Sequence, residues 1–266
     1  MQTLALNSVI HGVQHDVENS SNKQTIVLIH GLFGNLDNLS MIRRHFENDY
    51  QILSIDLPDH GLSPHTKTFS FEIYANSVIA CLKLHGLANV ILLGHSLGGK
   101  VAMAVAHKIP HIVNALVVLD IAPVAYSPRH HEVFAGLNNI DLTSISSRKD
   151  AQVALAEHVL DAGTQAFLLK SLYQNTDKQW SWRFNLAGIQ KNYALLSDWQ
   201  YSGELYSGNT LFIKGADSDY LLAEHQSVIS PMFPNAKAKI VQAGHWLHAQ
   251  KPQIVNSVIT NFLRVN

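Results

Sequence analysis

Apolar residues gather along the chain in short runs, each followed by a longer stretch in which they recur at helical spacing. Residues 25–29 form a β-branched apolar run that closes on His30-Gly31. Residues 39–46 follow at helical spacing, with Asp37 or Asn38 placed to cap them. Residues 51–55 predict a second strand, 71–85 a helix that stops at Gly86, and 90–93 a third strand. A helix then begins near Lys100 and ends before Pro110. Residues 115–119, 210–214 and 237–242 predict further strands, and 252–263 a closing helix. Strands this short and this apolar, alternating with helices, belong to a parallel sheet covered on both faces. Residues 4–13 predict an antiparallel edge hairpin.

Between Pro123 and Gly208 the pattern changes. No apolar strand stands out there, only helical patterns at 133–137, 151–160, 163–172 and 186–199. Trp180, Trp182 and Trp199 fall in this stretch, leaving only Trp246 outside it. A helical stretch so long exceeds an ordinary crossover and predicts a lid inserted over the C-terminal edge of the sheet. Residues 124–207 would then form the helical lid, and 1–123 with 208–266 the α/β core. Extra packing helices with no gating role are the alternative. Phe134, Phe167, Leu168, Tyr173, Trp182, Phe184 and Tyr193 supply the bulk of the insertion, and some of them should face a pocket.

Composition narrows the partners. The chain has 266 residues, enough for one α/β domain with an insertion, and 47% hydrophobic against 15% charged residues marks a compact folded protein. A net charge of −1 with no basic block argues against nucleic acid or an anionic membrane surface. The apolar runs are far too short to cross a bilayer, and the opening residues show no signal-peptide pattern. Cys81 is the only cysteine, which fits a reducing compartment; a cytoplasmic monomer or weak homodimer is expected. Sixteen histidines invite a metal. The spaced pairs His11/His15 and His107/His111, however, lack the Glu of a catalytic zinc helix and have no Cys partner, so neither metal nor cofactor is expected.

The chemistry concentrates at Gly94-His95-Ser96-Leu97-Gly98. This G-x-S-x-G lies between the strand at 90–93 and a helix, the context of a nucleophile elbow in the α/β-hydrolase fold. A reversal that sharp forces Ser96 toward left-handed backbone angles, and small neighbours at 94 and 98 relieve the crowding. The backbone N–H of Leu97 would then point at a developing oxyanion. A second donor is expected after the first core strand, in His30-Gly31-Leu32-Phe33-Gly34, with Leu32 ahead of Phe33. Phe33 and Trp182 are expected to touch substrate.

A serine nucleophile needs a base, and the fold orders its triad as serine, acid, histidine. His245 follows the last strand in Ala243-Gly244-His245-Trp246-Leu247-His248, with His248 as its rival. The acid is Asp120, at the end of the strand beside the elbow strand, with Asp217 and Asp219 as rivals after the penultimate strand. In many α/β-hydrolases the acid stands three residues beyond the glycine ending that strand; here that position is Ser218.

His30-Gly31-Leu32-Phe33-Gly34, the segment 56–64 with His60-Gly61, Gly94 to Lys100, Asp120-Ile121-Ala122-Pro123 and Ala243-Gly244-His245 together resemble the YbfF-type bacterial esterases of the α/β-hydrolase superfamily. The resemblance spans nearly the whole chain. It departs at Leu97, where Met is frequent, and at Pro58-Asp59, where Arg-Asn is common. It implies an acid at Asp120, hydrolysis of short-chain carboxylic esters and an associated acyl-CoA thioesterase activity. A perhydrolase could share every residue named. A dehalogenase or epoxide hydrolase would need a carboxylate at position 96, and a non-catalytic ligand receptor would give no burst from a nitrophenyl ester.

Overall fold

The computed structural model describes residues 3–12, 24–201 and 205–265. Strands β1 (Ser8–Gly12), β2 (Thr25–Ile29), β3 (Gln51–Ile55), β4 (Val90–His95) and β5 (Val113–Leu119) enclose helices α1 (Ser40–Phe46), α2 (Phe71–Leu84) and α3 (Leu97–Lys108). The insertion carries α4 (His131–Asn139), α5 (Arg148–Ala156) and α6 (Ala162–Leu169). A hairpin of β6 (Leu172–Gln174) and β7 (Trp180–Trp182) follows, then α7 (Leu186–Lys191) and α8 (Tyr193–Ser197). The chain closes with β8 (Asn209–Gly215), α9 (Gln226–Met232), β9 (Ala236–Val241), α10 (Leu247–Gln250) and α11 (Pro252–Val265).

The sheet has seven strands in the order β1-β3-β2-β4-β5-β8-β9, all parallel except β1. Period-two alternation sends its apolar side chains to two separate cores. Val27, Ile29, Leu53, Leu92 and Val118 pack under α2 and α3. Ile26, Leu28, Ile52, Leu93 and Val117 pack under α1 and α11. With both faces dry, every central strand can be apolar throughout, as the run of buried residues in β2 illustrates. Cys81 is buried in the first core on α2.

Several expectations change in detail. Residues 8–12 form one edge strand antiparallel to β3, not a hairpin among themselves, and Val13 lies outside the described residues. His15 of the spaced histidine pair lies outside them too. Asn35, not Asp37 or Asn38, caps the turn of 3-10 helix Leu36–Leu39 that leads into α1. The insertion is not wholly helical: Leu172, expected at a helix end, instead pairs with Trp182 across the β6–β7 hairpin. The long helix expected over 186–199 breaks at Asn192 into α7 and α8.

Candidate active site

Strand β4 ends at His95 and α3 begins at Leu97, so Ser96 alone makes the turn, at φ 54° and ψ −121°. No side chain favours that conformation; it persists because strand and helix are both locked by packing. The glycines permit the approach. A Cβ on Gly94 would sit 2.2 Å from the Gly98 carbonyl oxygen, and one on Gly98 would sit 2.2 Å from that of Ile29. Leu97 is the first residue of α3, where an N–H has no intrahelical acceptor.

The next strand over brings a carboxylate beside Ser96. Register pairs His95 with Leu119, so Asp120, one residue past β5, stands beside the elbow with its own left-handed φ of 51°. Its carboxylate is fully buried. Oδ1 accepts the Gly215 N–H at 2.8 Å, and Oδ2 accepts the Ser218 hydroxyl and the His245 Nδ1–H, the latter at 2.8 Å. That bond fixes the His245 tautomer and leaves Nε2 as the free base. His95 holds the same loop from beneath, its Nε2–H donating to the His245 carbonyl at 2.9 Å. Asp217 and Asp219 are exposed, and Asp219 pairs with Arg129 at 2.6 Å. His248 is buried against His95, with ring centroids 4.4 Å apart, and does not line the cavity. Ser218 is a functional position that a search for carboxylates misses. Its signal was positional: it occupies the place where many α/β-hydrolases keep their acid.

Residues 31–34 form a turn closed by the Gly34 N–H on the Gly31 carbonyl at 3.1 Å, with Phe33 at φ 61°. The Phe33 N–H donates to His60 Nε2 at 3.2 Å, which takes it out of contention as an oxyanion donor and leaves Leu32. Two buried imidazoles brace this turn. His60 Nδ1–H donates to the Pro58 carbonyl at 2.8 Å. His30 Nδ1–H donates to the Gly31 carbonyl at 2.8 Å, and its Nε2 accepts the Leu57 N–H at 3.0 Å. Desolvation pushes His30 down to about 4 and, with the neighbouring His30, His60 down to about 3; both are neutral struts. The segment 56–64 thus supports the oxyanion turn. Its Asp59, which stands where the resemblance would have Asn, accepts from Thr66, Tyr74 and, from the insertion, Asn185.

Ser96, Leu97, Leu32 and His245 open onto one mainly apolar cavity of about 180 Å³, roofed by Val133, Phe167, Leu168, Tyr193 and Leu196 of the insertion. Phe33 lines it. Trp182 does not: it stacks on Phe184 at 5.2 Å, and Phe184 in turn packs on Phe33, so the tryptophan lies behind the wall and not at its surface. Phe134, Tyr173 and Phe184 likewise stay off the lining. The cavity's polar residues on the roof side are Tyr126, Arg129, His130, Thr164, Tyr193 and Ser197. Burial, with His245 and Arg129 nearby, lowers His130 to about 4.

Lys100, one turn into α3, also reaches the cavity wall and is buried. Its Nζ donates to the carbonyls of Val124 (2.9 Å), Ser197 (3.1 Å) and Asp198 (2.8 Å), and lies 4.7 Å from the Tyr126 ring centroid. One ammonium therefore ties both ends of the insertion to the nucleophile's helix. Desolvation lowers its pKa to about 7, with Asp198 opposing the shift. Among the described residues, no three His, Cys, Asp or Glu side chains gather as a metal site.

The model of the alpha/beta hydrolase fold family matches residues 24–252. The Escherichia coli protein named esterase YbfF is 34% identical over 92% of this chain and 95% of its own length. The mouse protein named sn-1-specific diacylglycerol lipase ABHD11 is 35% identical over 90% of this chain and 80% of its own. A solved esterase from a marine microorganism superposes with a TM-score of 0.91 at 30% identity, covering 98% of this chain and 100% of that one. The chain belongs to the α/β-hydrolase family, and the resemblance to the YbfF-type esterases read from its motifs holds across the fold.

Proposed function

We propose that this α/β-hydrolase is a serine carboxylic-ester hydrolase working through an acyl-enzyme, with Ser96, His245 and Asp120 as its triad. One observation carries the reading. A serine in left-handed conformation at a helix start shares one mainly apolar cavity with a histidine whose Nδ1 is already committed to a buried carboxylate.

In this reading Ser96 Oγ attacks the ester carbonyl while His245 Nε2 takes its proton. The oxygen that becomes negative is held by the N–H groups of Leu97 and Leu32. Collapse expels the alcohol, which leaves with the proton from Nε2. Water then attacks the acyl carbonyl, giving its proton to the same nitrogen, and the second collapse releases the acid as that proton returns to Ser96 Oγ. Asp120 keeps Nδ1–H in place throughout and favours the imidazolium. A thioester would follow the same steps, its sulfur leaving as the thiol with the proton from Nε2. No step calls for a cofactor or metal.

The insertion acts as a lid that bounds the acyl site. A cavity of about 180 Å³ favours short acyl chains, because each methylene gains only about 0.8 kcal/mol on burial and must still fit. A lone buried cysteine supports a cytoplasmic setting. No helix among the described residues is long and apolar enough to cross a membrane.

The test is covalent. A fluorophosphonate should add one adduct, on the peptide carrying Ser96, and Ser96→Ala should remain folded while losing nitrophenyl-butyrate turnover by orders of magnitude. Labelling elsewhere, or near-native activity in the alanine variant, overturns the reading.

A further inference from the structure

His245 is held at one ring nitrogen and at its backbone carbonyl. Neither contact sets the plane of the ring: an imidazole bonded through Nδ1 can still swing about that bond, carrying Nε2 away from the nucleophile. His95 meets the ring only at a tilt, with centroids 4.7 Å apart and 42° between planes; the group that opposes the swing face-on is Tyr220. Its ring lies flat against the imidazole, with centroids 4.0 Å apart and planes 25° from parallel. Such contact suits an imidazole that becomes a cation in every turnover, because an aromatic face stabilises adjacent positive charge.

Tyr220 is itself fixed from several sides. Its carbonyl accepts the Tyr126 hydroxyl, and its N–H donates to Ser218 Oγ at 3.3 Å, the same hydroxyl that donates to Asp120. The Arg129 guanidinium, from the insertion, lies 4.8 Å from its ring centroid and is held there by Asp219. The loop after β8 therefore supports both partners of the serine at once: Ser218 holds the acid and Tyr220 holds the base.

We propose that Tyr220 is a positioning residue for His245, its flat ring setting the imidazole plane so that Nε2 faces Ser96. This rests on the serine-hydrolase reading above. A ring that merely filled space would affect folding; a ring that aims the base must affect the chemical step.

Two variants separate these roles, measured on nitrophenyl butyrate and by the rate of fluorophosphonate labelling of Ser96. Tyr220→Phe keeps the ring and should keep kcat and KM within about threefold of the parent. Tyr220→Leu removes the flat face and should lower kcat between about tenfold and about a hundredfold, with KM little changed, since a small misplacement of a catalytic group costs that much. The labelling rate should fall by the same factor, because labelling needs the same base. Should Tyr220→Leu not fold, Tyr220→Met carries the same test. A leucine variant within about threefold of the parent, a rise in KM in place of the fall in kcat, or a labelling rate left unchanged would each sink the proposal. Tyr220→Phe also decides alone: a loss of about tenfold or more there assigns the effect to the hydroxyl and overturns the clamp. Ser96→Ala run alongside keeps the two readings apart. If that variant stays active, the serine mechanism has failed, whatever Tyr220 does.

Discussion

At the scale of the residue, the carboxylate of Asp120 accepts from Gly215, Ser218 and His245 while fully buried, so each oxygen is committed to donors. An amide in its place would present an NH₂ to one of them and impose the wrong tautomer on His245. Asp120→Asn should therefore lower kcat by something like ~10⁴, with the fold intact by circular dichroism. Asp217→Asn and Asp219→Asn, both on the surface, should change it little. A crippled Asp217 variant beside a healthy Asp120 variant would move the acid to the later strand. The proposed Ser96, Asp120 and His245 could be grouped from sequence because each follows a strand, which puts all three at one edge of the sheet. Ser218 carried only a positional signal, and Tyr220 none, since a ring in a loop shows no pattern until β8 and β9 place that loop against Asp120 and His245.

At the scale of the element, the sheet was readable because its strands are apolar on both faces and bounded by turns. The insertion was readable only as an insertion. Strands of three residues cannot show an alternation, so the start of β6 looked like a helix end, β7 went unassigned, and Trp182 looked exposed to a pocket it only backs. Nor could spacing show that Lys100 fastens both ends of the insertion, at Val124 and at Ser197–Asp198. Lys100→Met keeps the stem's packing but removes three donors from those carbonyls. It should leave the core folded while residues 124–207 become cut faster by a low dose of protease; unchanged cleavage would mean the insertion is held elsewhere. The roof makes a second prediction. Specificity constants across nitrophenyl esters should peak between acetyl and hexanoyl and fall beyond. A steady climb to long chains would mean the insertion opens to a deep tunnel.

At the scale of the whole molecule, the site rests on buried imidazoles that must stay neutral, and this links its stability to pH. Desolvation alone lowers His30 to about 4; desolvation first, with neighbouring charges second, lowers the half-buried His130 to about 4 and His60 and His248 to about 3. In the unfolded chain each reverts to the ordinary value near 6.5. Below that pH the unfolded chain binds protons that the folded one refuses, so the folded state is favoured fully above about 6.5 and loses ground steadily as pH falls toward the folded values. Each group removes about 1.4 kcal/mol per pH unit in that window. Four acting together remove on the order of 5 kcal/mol per unit, which rivals the entire stability of an ordinary domain. The protein should therefore unfold cooperatively between about pH 4 and pH 5.5, before any of these histidines titrates in the native state. Urea unfolding at pH 7, 6 and 5 should show the free energy dropping along that slope. His248→Phe, which keeps a ring against His95 and cannot take a proton, should make the slope shallower by about one proton's worth. A stability that stays level from pH 7 to pH 5 would mean that these imidazoles are charged in the folded protein, and the neutral struts beneath the oxyanion turn would have to be redrawn.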